Sequence, residues 1–129
     1  MMATIPQILI DHILAEAAAS PDREVCGLLL GTDRRVQRIV PTGNVAADPS
    51  RAFEIDPAAL FAALRAERRG GAGVIGHYHS HPNGRAEPSP CDLAAAEPGK
   101  IWIIIGNGVA RAWLAERNGF RELELVNDS

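Results

Sequence analysis

"GVIGHYHSHPNGRAEPSPCD", residues 73 to 92, predicts a strand end and a helix start joined by a short loop. Residues 73–81 are predicted to form a strand, and Pro82 ends it at the start of a segment rich in proline and glycine. Ser89, followed by Pro90 and then by Asp92, is the pattern of a helix N-terminus: an N-cap, a proline in the first position and a capping-box acid. A short helix is therefore expected after Ser89.

Upstream of this stretch, the pattern predicts two helices and three strands. The first helix covers residues 5–19, because Ile5, Ile8, Leu9, Ile13 and Ala17 recur at helical spacing before Ser20-Pro21. The second begins at the N-cap Asp56 with Pro57, ends at Gly70-Gly71, and buries a stripe of Leu60, Phe61 and Leu64. The strands are expected at residues 25–31, 35–41 and 52–55.

Downstream, "KIWIIIG", "VARAWLAE" and "FRELELV" are joined by Asn-Gly turns, which predicts a β-meander. The expected fold is a mixed sheet with helices, of the α/β or α+β class. A length of 129 residues predicts one domain, 1–129.

The composition is that of a globular domain and argues against several function classes. Hydrophobic residues make up 47% and charged residues 22% of the chain, and the formal net charge is −3. The basic residues are scattered, which argues against a nucleic-acid binder, and the apolar runs are too short to span a bilayer. No basic segment leads the N-terminus, so no signal peptide is expected. Two cysteines do not make a disulfide framework, and the cytoplasm is the predicted location.

The histidines of the opening stretch predict a metal site. Residues two apart on a strand point to the same face with Cα atoms ~7 Å apart, so His79 and His81 can reach one ion. Asp92, across the short loop, completes a set of two imidazoles and one carboxylate. Such a set suits zinc and leaves a fourth position for water, as catalytic zinc sites do.

Three neighbours compete for the ion and are not expected to bind it. The Cα atom of His77 would be ~13 Å from that of His81 in an extended strand, too far to share the ion easily. Cys91 points roughly 100° away from Asp92 around the helix, so only one of the two can face the histidines. Glu87 and the two histidines together resemble the metal site of cupins, although the spacing differs. That site also needs a further histidine downstream, and no histidine follows His81.

Together these residues resemble the JAMM, or MPN-plus, zinc metallopeptidases. "HSHP" (79–82), six residues and "SPCD" (89–92) are similar to that family's His-x-His-Pro-x6-Ser-x-x-Asp motif. "REVCGLLLG" (23–31) is similar to its Glu-x-x-Gly strand, and "FEIDP" (53–57) before a helix also fits. The resemblance implies a curved mixed sheet flanked by helices, related to the cytidine-deaminase fold.

The same resemblance implies one zinc ion per chain, held by His79, His81 and Asp92. Glu24 would be the general base, which takes a proton from the attacking water and later delivers it to the leaving amine. Ser89 would hydrogen-bond the oxyanion. The residues alone leave Glu54 and Glu87 open as bases in place of Glu24, and they leave open whether Ser89 acts in catalysis or only caps its helix.

The chain resembles the compact prokaryotic members of the family, since only ~37 residues follow Asp92 and the meander uses nearly all of them. The resemblance implies hydrolysis after the C-terminal Gly-Gly of a ubiquitin-like sulfur-carrier protein, at a peptide or an isopeptide bond. A homodimer is left open, and no nucleic-acid or membrane partner is expected. The alternatives are a non-catalytic MPN scaffold, a metallohydrolase of another small peptide or amide, and a zinc deaminase. The deaminase needs a His-x-Glu and a Pro-Cys-x-x-Cys, which the chain lacks.

Overall fold

The protein is described by a computed structural model that covers residues 1–82 and 84–128. Helices are interspersed among the first four strands, of which the second and third are consecutive, and the last three strands follow one another directly. In chain order the elements are β1 (Met2–Ile5), α1 (Gln7–Ala18), β2 (Cys26–Thr32), β3 (Arg35–Thr42), α2 (Pro57–Arg68), β4 (Gly73–Ser80), α3 (Pro90–Ala95), β5 (Ile101–Gly106), β6 (Val109–Glu116) and β7 (Gly119–Asn127). In the part of the chain so described, no helix is long and apolar enough to cross a membrane.

These seven strands form one sheet in the order β1-β3-β2-β4-β5-β6-β7, and the sheet closes on itself. β1 closes it, because β1 pairs in parallel with β3 on one side and with β7 on the other. β4 and β5 are also parallel, whereas the other neighbours are antiparallel. The predicted curved mixed sheet with helices is therefore confirmed, and its closure is a feature that the sequence pattern did not reveal.

The sheet is covered on both faces, which explains why β5 is apolar throughout. Ile101, Ile103 and Ile105 lie in the cluster that contains Ile13 of α1. Trp102, between them on the strand, packs in a different cluster with Phe53, Trp113 and Phe120. Alternate residues of a strand point to opposite faces, so one run of bulky residues serves both sides.

α2 covers part of the second face and begins as predicted. The Asp56 side chain accepts a hydrogen bond from the Ala58 N–H at 3.0 Å, and Pro57 occupies the first helical turn. Leu60 and Leu64 pack against the buried cluster of Leu28, Leu30 and Val74. The predicted burial of Phe61 is wrong: its side chain is 65% exposed. Phe61 follows Leu60 directly, so it points about 100° away from the packed stripe.

Two other predictions from the sequence need correction. The first helix begins at Gln7 rather than at residue 5, because the chain before Pro6 is extended and Ile5 belongs to β1. Ile8 is 74% exposed and does not join the buried stripe. The predicted strand 52–55 forms only an isolated bridge between Ile55 and Asn44. Propensity favours an extended segment there, but a strand also needs a run of paired residues on a neighbouring strand. Among the described residues, this segment has one such pair, Ile55 with Asn44.

Candidate metal centre and active site

The pairing of β2 with β4 brings Glu24 to the histidines, 55 residues away in sequence. The two strands are antiparallel, with Cys26 opposite His79. Two pairs further along the same register, just beyond the ends of both strands, Glu24 comes opposite His81. The intervening pair is held by two bonds: the Ser80 N–H donates to the Val25 carbonyl at 3.0 Å, and the Val25 N–H donates to Ser80 Oγ at 2.9 Å. Directly opposed residues share a face of a sheet, so Glu24 and His81 face the same side.

The chain after the histidines is hydrogen-bonded to β5 and packs closely against it. The His81 N–H donates to the Ile105 carbonyl at 2.7 Å. A Cβ atom at Gly106 would collide with the backbone of Arg85 and Ala86, so only glycine lets this segment cross β5 so closely. The Trp113 indole N–H also donates to the Ala86 carbonyl at 3.0 Å. These contacts turn the chain back over the face that carries the histidines.

The capping box that the sequence predicts at the start of α3 fixes the position of Asp92. Ser89 Oγ accepts from the Asp92 N–H at 3.1 Å, and Asp92 Oδ2 accepts from the Ser89 N–H at 2.9 Å. The carboxylate that completes the cap is also the one that points at the histidines, and Asp92 is buried. Capping and metal binding therefore do not exclude each other at Asp92.

His79, His81 and Asp92 present three donor atoms with the spacing of a zinc site. His79 Nε2, His81 Nε2 and Asp92 Oδ2 lie 3.1 Å from one another on every side of the triangle. A tetrahedral zinc ion with bonds of about 2.0–2.1 Å separates its ligand atoms by roughly 3.3–3.4 Å. Three hydrogen bonds along the sides of this triangle would need three protons. The two imidazole nitrogens carry at most one each, and an ionised carboxylate carries none. A cation satisfies all three at once, so the residues fit zinc.

Hydrogen bonding presents the correct nitrogen of His81 to such an ion. His81 Nδ1 lies 2.8 Å from the Arg85 carbonyl oxygen, which can only accept, so Nδ1 carries the proton and Nε2 has a free lone pair. Burial by itself would lower the pKa of His81, but the bonds to Asp92 and to Arg85, with the Asp92 charge, raise it. Burial likewise opposes ionisation of Asp92, yet protonated Nε2 atoms of His79 and His81, which donate to the carboxylate when no ion occupies their lone pairs, hold the pKa of its carboxyl well below the usual range.

The third ligand candidate, His79, is oriented by an aromatic ring that the sequence analysis did not assign to the site. His79 is fully buried, and the Phe53 ring stacks on its imidazole with centroids 4.2 Å apart and planes 19° apart. Within residues 1–82 and 84–128, His79 Nδ1 has no hydrogen-bond partner. Stacking therefore takes the place of the second hydrogen bond that usually orients a metal-binding histidine. The only signal in the sequence was that Phe53 belongs to the "FEIDP" segment.

Glu24 lies beside this triangle and is buried from solvent. Its carboxylate is within 4.8 Å of the donor nitrogens of both His79 and His81, and the residue is 4% exposed. Burial, opposed by the charge of His81 and reinforced by that of Asp92, raises the pKa of Glu24 to about 7. The proximity makes Glu24 a rival ligand, but Asp92 is ionised and equidistant from both histidines. A carboxyl whose pKa is near neutrality suits proton transfer better than metal binding.

The other candidates lie elsewhere. Cys91 is exposed on α3 and takes no part in the cluster. His77 packs edge-on against Trp102 at 4.3 Å, and burial, with His79 nearby, lowers its pKa to about 3, which keeps it neutral. Glu87 pairs with Arg111 at 3.1 Å, and Glu54 is exposed. The structure thus brings Glu24, and neither of its two rivals as base, to the histidines.

We therefore expect Cys91→Ser and His77→Gln to retain the full metal content of the wild-type protein. The Cys91 side chain faces solvent, and His77 lies outside the group of mutually close donors. Elemental analysis of each purified variant measures the metal directly. A sulfur-to-metal charge-transfer band in the cobalt-substituted protein would contradict the cysteine half, and a loss of metal in His77→Gln would contradict the other.

A groove of about 420 Å³ lies against the sheet at His77. His77 lines it, two residues before His79, and apolar side chains of β2, β4 and α2 form most of its wall, with three charged residues among the lining. The apolar lining residues are Leu28, Ile55, Leu60, Leu64 and Val74, and the charged ones are Glu54, Glu97 and Lys100. A volume of this size is within the range of ligand-binding clefts.

Comparison with known proteins places this site in a family context. The family model described as prokaryotic homologs of the JAB domain matches residues 6–116. A protein of Haloferax volcanii named desampylase is 37% identical over 124 residues, which cover 92% of this chain and 88% of that protein. A Thermus thermophilus protein named probable TtuB-protein conjugate cleaving protease is 37% identical over 110 residues, or 85% of this chain and 74% of its own length.

A solved structure shares nearly the whole architecture. The solution structure of a protein from Desulfitobacterium hafniense superposes with a TM-score of 0.85 at 30% sequence identity. The match covers 99% of this chain and 94% of that one. The aligned region therefore spans the strands and α3, which carry the site.

Proposed function

Since the chain belongs to the family of prokaryotic JAB-domain homologues, we propose that it is a zinc-dependent isopeptidase. Its proposed substrates are conjugates of a ubiquitin-like sulfur-carrier protein, cleaved after the carrier's C-terminal Gly-Gly. The observation that carries this proposal is the triangle of His79, His81 and Asp92 donor atoms, 3.1 Å apart, with the Glu24 carboxylate beside it. That arrangement supports amide hydrolysis, and the chain is accordingly a hydrolase.

The names of two relatives support the substrate class. One is a desampylase, and the other is named for cleaving TtuB-protein conjugates. A conjugate joins one protein to another, which favours an isopeptide bond over the peptide bond that the sequence left equally open. The groove lined by His77, two residues before His79, is a candidate position for part of the substrate's tail.

The proposed mechanism divides the work between the zinc ligands, Glu24 and Ser89. The chemistry that zinc supplies when bound by His79, His81 and Asp92 is Lewis acidity, which polarises a carbonyl and makes water acidic enough to attack near neutral pH. Glu24 takes a proton from the attacking water and delivers it to the leaving amine. The burial that raises the pKa of Glu24 to about 7 lets one carboxyl perform both transfers.

Ser89 can donate a hydrogen bond to the oxyanion even while it caps α3. In the cap its Oγ accepts the Asp92 N–H, which occupies a lone pair of the hydroxyl. The hydroxyl proton is not used in that bond and remains available to a negatively charged oxygen. The two roles that the sequence left as alternatives are thus compatible.

We expect Ser89→Ala to lower kcat by about 10²-fold, the typical effect of removing one oxyanion donor. The substitution also removes a helix cap, which typically costs about 1 kcal/mol of stability, so the melting temperature is measured alongside the rate. Asp56→Ala is the matched control, because it removes the N-cap of α2 and nothing from the site. Equal rate losses in the two variants would assign the effect to capping.

The proposed activity is tested with two substrates made from one Gly-Gly-ending ubiquitin-like carrier. In the first, the carrier is joined to a lysine of a target protein; in the second, it carries a short C-terminal extension. Mass spectrometry of the products is expected to show cleavage after Gly-Gly in the first, with loss of activity on chelation and recovery with zinc. Absence of cleavage of both substrates by the zinc-loaded protein would refute the proposal.

A non-catalytic scaffold is the second candidate, and the full set of polar residues in the site argues against it. A scaffold does not need an ionised aspartate, two histidines and a buried glutamate in contact, since burying such groups without use is costly. We place the enzyme in the cytoplasm, a location that the two free cysteines support.

A further inference from the structure

The side chain of Asn44 uses its whole hydrogen-bonding capacity beside the site. Its Nδ2 donates to the carbonyls of Glu24 at 2.9 Å and Ala52 at 3.0 Å. Its Oδ1 accepts from the N–H groups of Ala46 at 3.0 Å and Glu54 at 3.1 Å. The two carbonyls can only accept and the two N–H groups can only donate, so a single orientation of the amide satisfies all four.

These bonds join two backbone segments that are far apart in sequence. One carries Glu24, whose N–H also donates to the Pro49 carbonyl at 2.7 Å, so the loop that begins at Asn44 holds both backbone groups of the base. The other segment runs from Ala52 to Glu54 and carries Phe53 between the two bonded residues. The isolated bridge between Asn44 and Ile55 continues the same attachment.

Phe53 extends the connection to the metal ligands. Its ring stacks on the His79 imidazole at 4.2 Å and packs edge-on against His77 at 5.3 Å. The segment that carries Phe53 lacks strand pairing beyond the one bridge, as far as the described residues show. Two backbone bonds also hold this segment: the Val45 N–H donates to the Glu54 carbonyl at 3.1 Å, and the Ala52 N–H donates to the Asp48 carbonyl at 3.0 Å. Both partners belong to the loop that begins at Asn44, and of all these contacts only the Asn44 side chain joins the segment to Glu24.

We propose that Asn44 is a positioning residue of this site, which ties the backbone of Glu24 to the backbone on either side of Phe53 and so aligns the general base with His79. Asn44 acts through these two residues and does not itself touch substrate. The proposal rests on the proposed function, since it assigns Glu24 and His79 their roles in hydrolysis. A displacement of about 1 Å in a reacting group costs on the order of 10²-fold in rate, so small movements of either residue are measurable.

Two variants and one control test the proposal. Asn44→Ala removes all four bonds. Asn44→Asp keeps an oxygen for Ala46 and Glu54 but loses both donations, so it separates the attachment of Glu24 from the local turn and guards against a failure of the first variant to fold. Glu67→Ala is the matched control, because it removes another side-chain bond to the backbone, from the Val74 N–H at 2.7 Å, at the opposite end of β4.

Two measurements distinguish positioning from general stability. With the carrier–lysine conjugate, both Asn44 variants are expected to lower kcat by about 10- to 100-fold with little change in KM and with full zinc content. Because the Phe53 ring stacks on the His79 imidazole, the His79 ring protons are expected to be shifted upfield in proton NMR spectra of the wild-type protein. This shift is expected to be lost in Asn44→Ala. Glu67→Ala is expected to keep both the rate and the shift, whatever its melting temperature.

Wild-type kcat in Asn44→Asp, or an unchanged His79 shift in Asn44→Ala, would overturn the proposal. Equal rate losses in Glu67→Ala would also overturn it, because they would reduce the effect to stability. The NMR measurement needs no substrate. If the wild-type protein failed to cleave the conjugate, the proposed function would fail, while the shift would still decide whether Asn44 positions Phe53 over His79.

Discussion

Glu24→Gln is expected to lower the rate of conjugate hydrolysis by 10²- to 10⁴-fold while the zinc content and the fold remain those of the wild-type protein. Glutamine has nearly the same shape as glutamate but cannot take a proton from water at neutral pH. Glu24 is buried against both histidines without belonging to the triangle of donor atoms, so its replacement leaves that triangle complete. The loss is expected in kcat, measured at saturating substrate.

The same variant has a stability signature. Glu24 Oε1 is buried and has no partner among the residues that the structure describes, so the ionised carboxylate is costly to hold there. The neutral amide carries no charge to desolvate, and the melting temperature of Glu24→Gln is expected to equal or exceed that of the wild type. A loss of activity with a lower melting temperature and lost zinc would instead indicate a structural role.

Two other glutamates serve as controls. Glu87 is paired with Arg111 outside the site, so Glu87→Gln is expected to retain activity. Glu54 is exposed and lines the groove, so Glu54→Gln is expected to keep kcat, and any effect is expected in KM. Wild-type activity in Glu24→Gln together with an inactive Glu54 or Glu87 variant would mean that the base is assigned to the wrong residue.

The double variant His79→Ala, His81→Ala is expected to lose both the metal and the activity. Wild-type protein purified without chelator should contain close to one zinc per chain, and the double variant close to none. Removal of two of the three donor atoms leaves Asp92 with Glu24 as the neighbouring carboxylate, and the three protein ligands of a catalytic zinc site are no longer present. Elemental analysis measures the metal, and circular dichroism verifies that the variant is folded.

Thermal unfolding gives a second measure of the same site. A ligand that binds only the folded state stabilises it, so a chelator should lower the melting temperature of the wild-type protein and zinc should restore it. The double variant is expected to respond to neither addition. Full metal retention by the double variant would contradict the assignment of the ligands. In that case the zinc would lie elsewhere in the chain.

Local patterns of the sequence predicted the parts of the site that are close together along the chain. Strand alternation places His79 and His81 on one face, and the Ser-Pro-x-Asp pattern begins α3 at Ser89, with Asp92 as the capping-box acid. The Asn-Gly turns likewise predicted the meander of β5, β6 and β7. Each of these features depends on backbone geometry over a few residues, which the residue types themselves specify.

Features that join distant segments required the tertiary structure. The residues alone left three glutamates as candidate bases, and the resemblance favoured Glu24. The pairing of β2 with β4, continued past Cys26 and His79, then brings Glu24 to His81. Closure of the sheet by Met2–Ile5 and the stacking of Phe53 on His79 were equally invisible in the pattern.

The physical reason is the same in each of these cases. A strand's own residues specify which side chains share a face, but not which strand lies beside it or in which register, because pairing is decided by the packing of the whole sheet. The sequence by itself therefore determined the chemistry of the site: two imidazoles, one carboxylate and a capping serine. Only the tertiary structure decided which buried carboxylate and which aromatic ring stand beside them.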